Sequence, residues 1–429
     1  MTFISLFLSF LLTNQISADL LPQMHHRSSV PPMTLDQVEA EAMENNPEIR
    51  AISSQVDTAL KQLDGSMAFD DPSLMYRGWG VPIAQPWNVN QAQHMFMFSQ
   101  DVPGAGKRGL RYLIAASGVD IVKLEVEARK RQILSRVRQA FFDLQRTYDE
   151  LQLHDTQIEL ARQTIAAARI KYTVGRTPQQ DVLKAQVALS RLVEHLVLFE
   201  RGGDVARVRL NTLMGRNPLT PLEVHGTYVV LDSLPASVEL QELAMENRPE
   251  LLVMSALIRQ AETKARLAAK AYSPDLSIGA GYMLMPGGSP SRNADMGECS
   301  MTLPGLNRGK HDAEIQEARS EVEALRSEYQ NRIAQALQQI EETRLQALSA
   351  KRLVDLYKDT LHPQSQMTLR SASAAYQVDQ TDFLDVLDSQ NMTLEIDYAY
   401  FRALGEYEAR LAELEEAVGV PLPRERRLQ

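Results

Sequence analysis

With 429 residues and a formal net charge of −10, the chain lacks the basic face that a nucleic-acid partner requires. Its single cysteine, Cys299, excludes an internal disulfide and a cysteine metal cluster. Aromatic residues make up 6% and no apolar run reaches the ~18 residues of a membrane-spanning helix, so long polar helices are expected rather than a large globular core.

Phe3–Leu12 is apolar and leads to Ile16-Ser17-Ala18, the pattern of a secretory signal cleaved near Ala18, although no Lys or Arg precedes Arg27. Residues 1–18 are read as a signal peptide and 19–33 as a disordered leader, in which Met24-His25-His26 could bind a metal ion loosely, although such a tract is more often only solvated linker. Thr34 is the candidate N-cap of the first helix. Ala42-Met43-Glu44-Asn45-Asn46-Pro47-Glu48 then recurs as Ala244-Met245-Glu246-Asn247-Arg248-Pro249-Glu250, and the match holds without gaps to Leu74 and Leu276. Self-similarity at a fixed offset marks a duplication. The two structural repeats are placed at 34–232 and 233–422, followed by a tail at 423–429. In each, Asn-x-Pro ends one helix and begins the next, because Pro suits a first helical turn.

The period then changes. In Asp275–Met283, Leu276, Ile278, Ala280 and Tyr282 alternate with Ser277, Gly279 and Gly281; Gly297–Leu303 alternates as well. The matching pair in the first copy is Leu74–Gly80 and His94–Val102, with Trp79 and Trp87 near its turn. Short alternating segments joined by Gly, Pro and Asn are the mark of transmembrane β-strands, and equally of a soluble hairpin capping a helical rod. Each pair closes on Pro-Gly, at Pro103-Gly104 and Pro304-Gly305. Gly104 to Gly109 matches G-x-G-x-x-G, but a dinucleotide fingerprint needs a βαβ unit, and a long helical stretch follows instead. These glycines are expected to turn the chain from strand to helix.

Lys107–Thr173 reads as one helix of ~100 Å. Leu134, Val137, Phe141, Leu144, Tyr148 and Leu151 form a heptad seam, interrupted at Asp155 and resumed at Ile158 and Ile165. A return helix is expected over 179–214. The second copy repeats this with helices at 311–375 and 381–418, the first kinked by Pro363. Each hairpin tip carries the same pattern: Tyr172, Val174, Thr177 and Asp181-Val182-Leu183 match Tyr376, Val378, Thr381 and Asp385-Val386-Leu387. No H-E-x-x-H, G-x-S-x-G, P-loop or C-x-x-C occurs, and His154 and His195 sit on helices as seam or surface residues, so no enzyme, cofactor or metal centre is expected.

The order helix, strand pair, long hairpin, linker, and all of it again, with the Asn-x-Pro-Glu start and the Tyr-x-Val-x-x-Thr tips, resembles the TolC family of outer-membrane efflux channels over about residues 34–422. The turn Phe98-Ser99-Gln100-Asp101-Val102-Pro103-Gly104-Ala105-Gly106-Lys107-Arg108 resembles the family's heavy-metal branch, which serves copper/silver or cobalt/zinc/cadmium pumps. The resemblance implies a mainly α fold with a small β part. It implies a homotrimer whose twelve strands form an outer-membrane β-barrel in lipid, continued by a long α-helical periplasmic barrel. It further implies a periplasmic adaptor protein docked at Tyr172, Val174, Gly175, Thr177, Tyr376, Val378 and Thr381, an inner-membrane RND pump beyond it, and a periplasmic gate at Asp382, Asp385 and Asp388. The chain departs from the family at Asp379, where Gly is common, and at Thr381, where some members carry an Arg that locks the closed end, so a weaker lock is expected. The expected function is a passive exit duct of a tripartite pump for heavy-metal cations. A drug-efflux or type I secretion duct and a soluble periplasmic coiled-coil scaffold are the alternatives.

Overall fold

The computed structural model describes residues 30–81, 83–84, 92–285 and 293–423. The expected signal peptide, most of the leader, Trp87 and the tail from residue 424 lie outside the described residues. The elements are α1 (Leu35–Asn45), α2 (Pro47–Gly65), β1 (Ser73–Trp79), β2 (Gln93–Val102), α3 (Lys107–Thr173), α4 (Gln179–Leu213), α5 (Ser237–Asn247), α6 (Pro249–Ala269), β3 (Leu276–Leu284), β4 (Ala294–Met301), α7 (Arg308–Leu356), α8 (His362–Gln377) and α9 (Phe383–Val418). The chain is mostly helical with one small sheet, and the order of helices and strands recurs in its second half. Among the described residues no helix is long and apolar enough to cross a membrane.

Among the described residues two compact units form, each drawing on both halves of the sequence: those within 30–49, 129–244 and 337–423 in one, and those within 50–128 and 245–336 in the other. The first is helical. One of its cores joins Val38 and Ala42 of α1 to Val137, Phe141 and Leu144 of α3 and to Leu210 of α4; another joins Leu240 of α5 to Ile340 and Val354 of α7 and to Tyr407 and Leu411 of α9. Asn46 shows why Asn-x-Pro works between α1 and α2. Its Oδ1 accepts the Glu48 N–H at 2.8 Å, capping α2, while its Nδ2 donates to Leu213 O at 2.7 Å, satisfying an end carbonyl of α4.

The expected seam needs one correction. Ile133 is fully buried where Leu134 is only half-buried. A helix that packs against α1, α4 and α9 buries more than one stripe, so a single heptad does not describe it. His154 is buried in the seam; Tyr398 Oη lies 2.5 Å from its Nδ1 and Leu192 O lies 2.5 Å from its Nε2. Since a carbonyl only accepts, Nε2 carries the proton and Tyr398 donates to Nδ1. Burial lowers the pKa of this imidazole.

The helix expected over 311–375 is also corrected. It runs as α7, a π-helical turn at Tyr357–Leu361, then α8. Pro363 has no N–H for the preceding turn, and the chain passes it by widening, with the His362 N–H donating to Tyr357 O.

The second unit holds the sheet, in the order β1-β2-β3-β4, all antiparallel. Leu74, Tyr76, Phe96, Phe98, Ile278 and Tyr282 share one face by register and are exposed. The fourth strand begins three residues earlier than the alternation from Gly297 predicts, because Ala294 pairs with Met283 at its start. Gly104 shows why the turn after β2 is glycine-rich: a Cβ there would meet Pro274 O at 2.6 Å. Its N–H and Lys107 Nζ both donate to Asp275 Oδ1, at 2.6 and 2.8 Å. Burial pushes the Asp275 carboxyl up, but the Lys107 and Gly104 hydrogen bonds outweigh it and hold it below its ordinary value.

Candidate functional site

The two hairpin tips lie in the helical unit and are joined to one another. Both end their rising helix in the same way. At the first tip Gly175 takes φ 73°, its N–H donates to Tyr172 O at 3.0 Å, and the Arg176 N–H donates to Lys171 O at 2.9 Å. At the second, Asp379 takes φ 58°, its N–H donates to Tyr376 O at 3.3 Å, and the Gln380 N–H donates to Ala375 O at 2.9 Å. These are Schellman closures, which demand a left-handed residue at the position after the helix. Asp379 is the one non-glycine residue with positive φ among the described residues.

Its side chain accounts for the choice of residue. Lys171 Nζ lies 2.7 Å from Asp379 Oδ1, and Arg176 Nη1 lies 3.3 Å from Oδ2. Both cations belong to the first tip. Lys171 also donates to Tyr376 O at 2.5 Å and sits 3.8 Å over the Tyr376 ring. The Lys171 hydrogen bond lowers the Asp379 pKa against a smaller effect of desolvation. Beneath this bridge, Ala168, Val182, Ala185 and Phe383 form a small buried core drawn from α3, α4 and α9. Tyr376 packs edge-on against Phe383, and burial raises the pKa of its hydroxyl.

The expected docking residues sort by exposure. Tyr172, Val174 and Val378 are exposed apolar side chains at the two tips, the last two 63% exposed each. Gly175 is exposed with open space around it; Thr177, Tyr376 and Thr381 are half-buried. The Thr177 and Tyr376 hydroxyls are enclosed and have no hydrogen-bond partner among the described residues. All three expected gate carboxylates are exposed, but Asp382 stands one residue ahead of α9 as its N-cap, outside the helix that carries Asp385 and Asp388. Asp385 accepts a hydrogen bond from the Thr381 hydroxyl. Lys171 and Arg176 escaped sequence reading: Asp379 in a glycine position was visible, but its partners lie 208 and 203 positions away and no local pattern points to them. Among the described residues, no group of three or more His, Cys, Asp and Glu side chains is placed to hold a metal ion.

The sequence pattern of the outer membrane efflux protein family matches residues 39–216 and 240–420. The cobalt-zinc-cadmium resistance protein CzcC of Cupriavidus metallidurans is 20% identical over 384 residues, covering 89% of this chain and 88% of that one. The fold is similar to that of CusC, with a TM-score of 0.76 at 17% identity over 94% of this chain and 97% of that one. It is also similar to the open state of the MtrE outer membrane channel of Neisseria gonorrhoeae, with a TM-score of 0.74 at 18% identity over 91% and 90% of the two chains.

Proposed function

The chain belongs to the outer membrane efflux protein family, the TolC family, and from that premise we propose that it is the exit duct of a tripartite RND-type efflux assembly carrying heavy-metal cations. The observation that carries the reading is the sheet: its aromatic and aliphatic face, with Tyr76, Phe96 and Tyr282 in one cross-strand row, is turned outward and exposed. A soluble cap would turn that face inward; a lipid-facing wall turns it out. Among the described residues, β1 and β4 are the outer strands of the sheet and each has one free edge. Open edges do not persist in lipid, so the sheet needs partners. Three copies supply them, closing twelve strands into one barrel.

In this reading residues 34–232 and 233–422 are the two copies of a helix, strand-pair and hairpin unit. The helices enclose a periplasmic tunnel. Asp382, Asp385 and Asp388 ring its narrow end, where carboxylates favour cations over anions. The exposed Val174 and Val378, with Tyr172, Gly175, Thr177, Tyr376 and Thr381 around them, dock the adaptor, and the pump lies beyond. The metal cargo is supported by the relative CzcC, named for cobalt-zinc-cadmium resistance, and by the turn at 103–108. The test is a deletion strain challenged with copper, silver, zinc, cobalt and cadmium salts and with lipophilic drugs, alongside outer-membrane fractions. Metal sensitivity and heat-modifiable trimers are expected. Drug sensitivity alone overturns the cargo, and a soluble monomer overturns the duct.

A further inference from the structure

The sheet face opposite the aromatic one gathers methionine. Side chains alternate along a strand, and directly opposed residues of antiparallel strands share a face, so register settles which ones meet. Met75 lies opposite Met97, and Met95 opposite Met283. Gly281, opposite Met97, is itself opposite Met296. Met95 and Met97 are 3% and 2% exposed, and Met75, Met283 and Met296 are half-buried. Gly279 and Gly281 leave the room for this: a Cβ on either would stand 3.3 or 3.1 Å from Met97 Sδ. Mid-strand glycine weakens a strand, and here the space it opens is filled by a thioether.

We infer that this thioether face is a binding site for soft, singly charged metal cations of the Cu(I) and Ag(I) kind. The inference rests on the duct reading, which makes this face the inner wall of the barrel. Thioether sulfur is a soft ligand suited to such ions and ill suited to hard divalent ones. Cβ atoms of directly opposed residues lie about 5 Å apart. The three rotatable bonds of Met let Met95, Met283 and the adjacent Met97 turn their sulfurs to a common ion. Charge sorts ions the same way. Arg77 lies opposite Met95 on this face, with Nη2 3.6 Å from Met75 Sδ and its guanidinium 5.4 Å over the Trp79 ring. It repels a divalent ion about twice as strongly as a monovalent one. Asp101 and Glu298 share the face farther along and favour cations in general. Neutral thioethers add no charge of their own, so the ion is held weakly enough to leave, as conduction requires.

The test is equilibrium dialysis of the full-length protein in detergent against Ag(I), and separately against Zn(II). All proteins carry Cys299→Ser, because that thiol is exposed on the other face and would take up silver itself. The parent is expected to retain silver in preference to zinc, and Met95→Leu with Met97→Leu and Met283→Leu to weaken silver binding about tenfold. Met367→Leu with Met392→Leu, both exposed on helices, should leave it unchanged. Leu conserves the volume of Met, and the single Met95→Leu variant reads the site if the triple one does not fold. Equal silver binding with and without the sheet methionines overturns the inference, as does zinc binding that disappears with them while silver binding stays. The assay reads the site in whatever compartment the protein resides, so its failure is distinct from that of the duct, which membrane fractions read.

Discussion

At the scale of single residues, the left-handed positions at the tips concentrate the consequences. Gly175 has open space around its Cα, so a larger side chain meets no clash; what it meets is backbone strain at φ 73°. Gly175→Val should cost about 1–2 kcal/mol locally and distort the tip while trimers still form. Loss of efflux and of adaptor cross-linking with normal trimer yield is the expected result; normal resistance would remove the tip from the docking surface. Asp379 occupies the matching position and trades glycine's freedom for two ion pairs to the other tip. Asp379→Asn keeps a residue tolerant of left-handed backbone but loses the charge, and should raise conductance in planar bilayers. The pH dependence has a definite sign. The carboxyl is held below its ordinary 3.8, so the bridge is fully present above that value and is lost as pH falls through the lowered one. Acidification should therefore loosen the native tip and leave Asp379→Asn unaffected.

At the scale of elements, α9 is placed by two kinds of contact. Its start carries Asp385 and Asp388 one turn apart on an exposed face. Asp385→Ala with Asp388→Ala should reduce cation selectivity and block by multivalent cations in planar-bilayer recordings; unchanged selectivity would reject the carboxylate ring. Its end is tied by Arg138 of α3, which bridges Glu39 of α1 and Glu415 of α9 with little exposure of any partner. Burial opposes the Arg138 charge, and the two carboxylates more than restore it. Glu415 also accepts the Leu422 N–H at 3.1 Å, fixing the segment after α9. Arg138→Ala leaves two carboxylates enclosed without their cation and should cost about 3–5 kcal/mol. Thermal unfolding of the purified protein measures it, and a change below about 1 kcal/mol would mean that solvent replaces the guanidinium.

For the whole molecule, the polarity of the sheet is the deciding feature. Phe96 lies between Tyr76 and Tyr282 in the exposed row, and Met97 beside it points to the other side. A charge on the lipid face of a barrel costs about 2–4 kcal/mol near mid-membrane. Phe96→Arg should therefore deplete heat-modifiable trimers from the outer membrane, whereas Met97→Leu should not. Equal trimer yield from both would mean that neither face meets lipid.

Local pattern was enough for much of this. The duplicated Asn-x-Pro segments, the switch from helical to two-residue period, and the bounds of α3 and α4 are all written within a few residues of chain, where capping, periodicity and turn chemistry act. The matched tips were legible for the same reason. What joins residues far apart was decided only by folding. Lys171 and Asp379 are 208 positions apart, and nothing in either neighbourhood names the other. Ile133 displaces Leu134 from the core because α3 has several packing partners, which a heptad count cannot include. Met95 and Met97 were visible as alternating residues on one strand. That Met75, Met283 and Met296 join them depends on strand register, and a slip of one residue would send each to the opposite face.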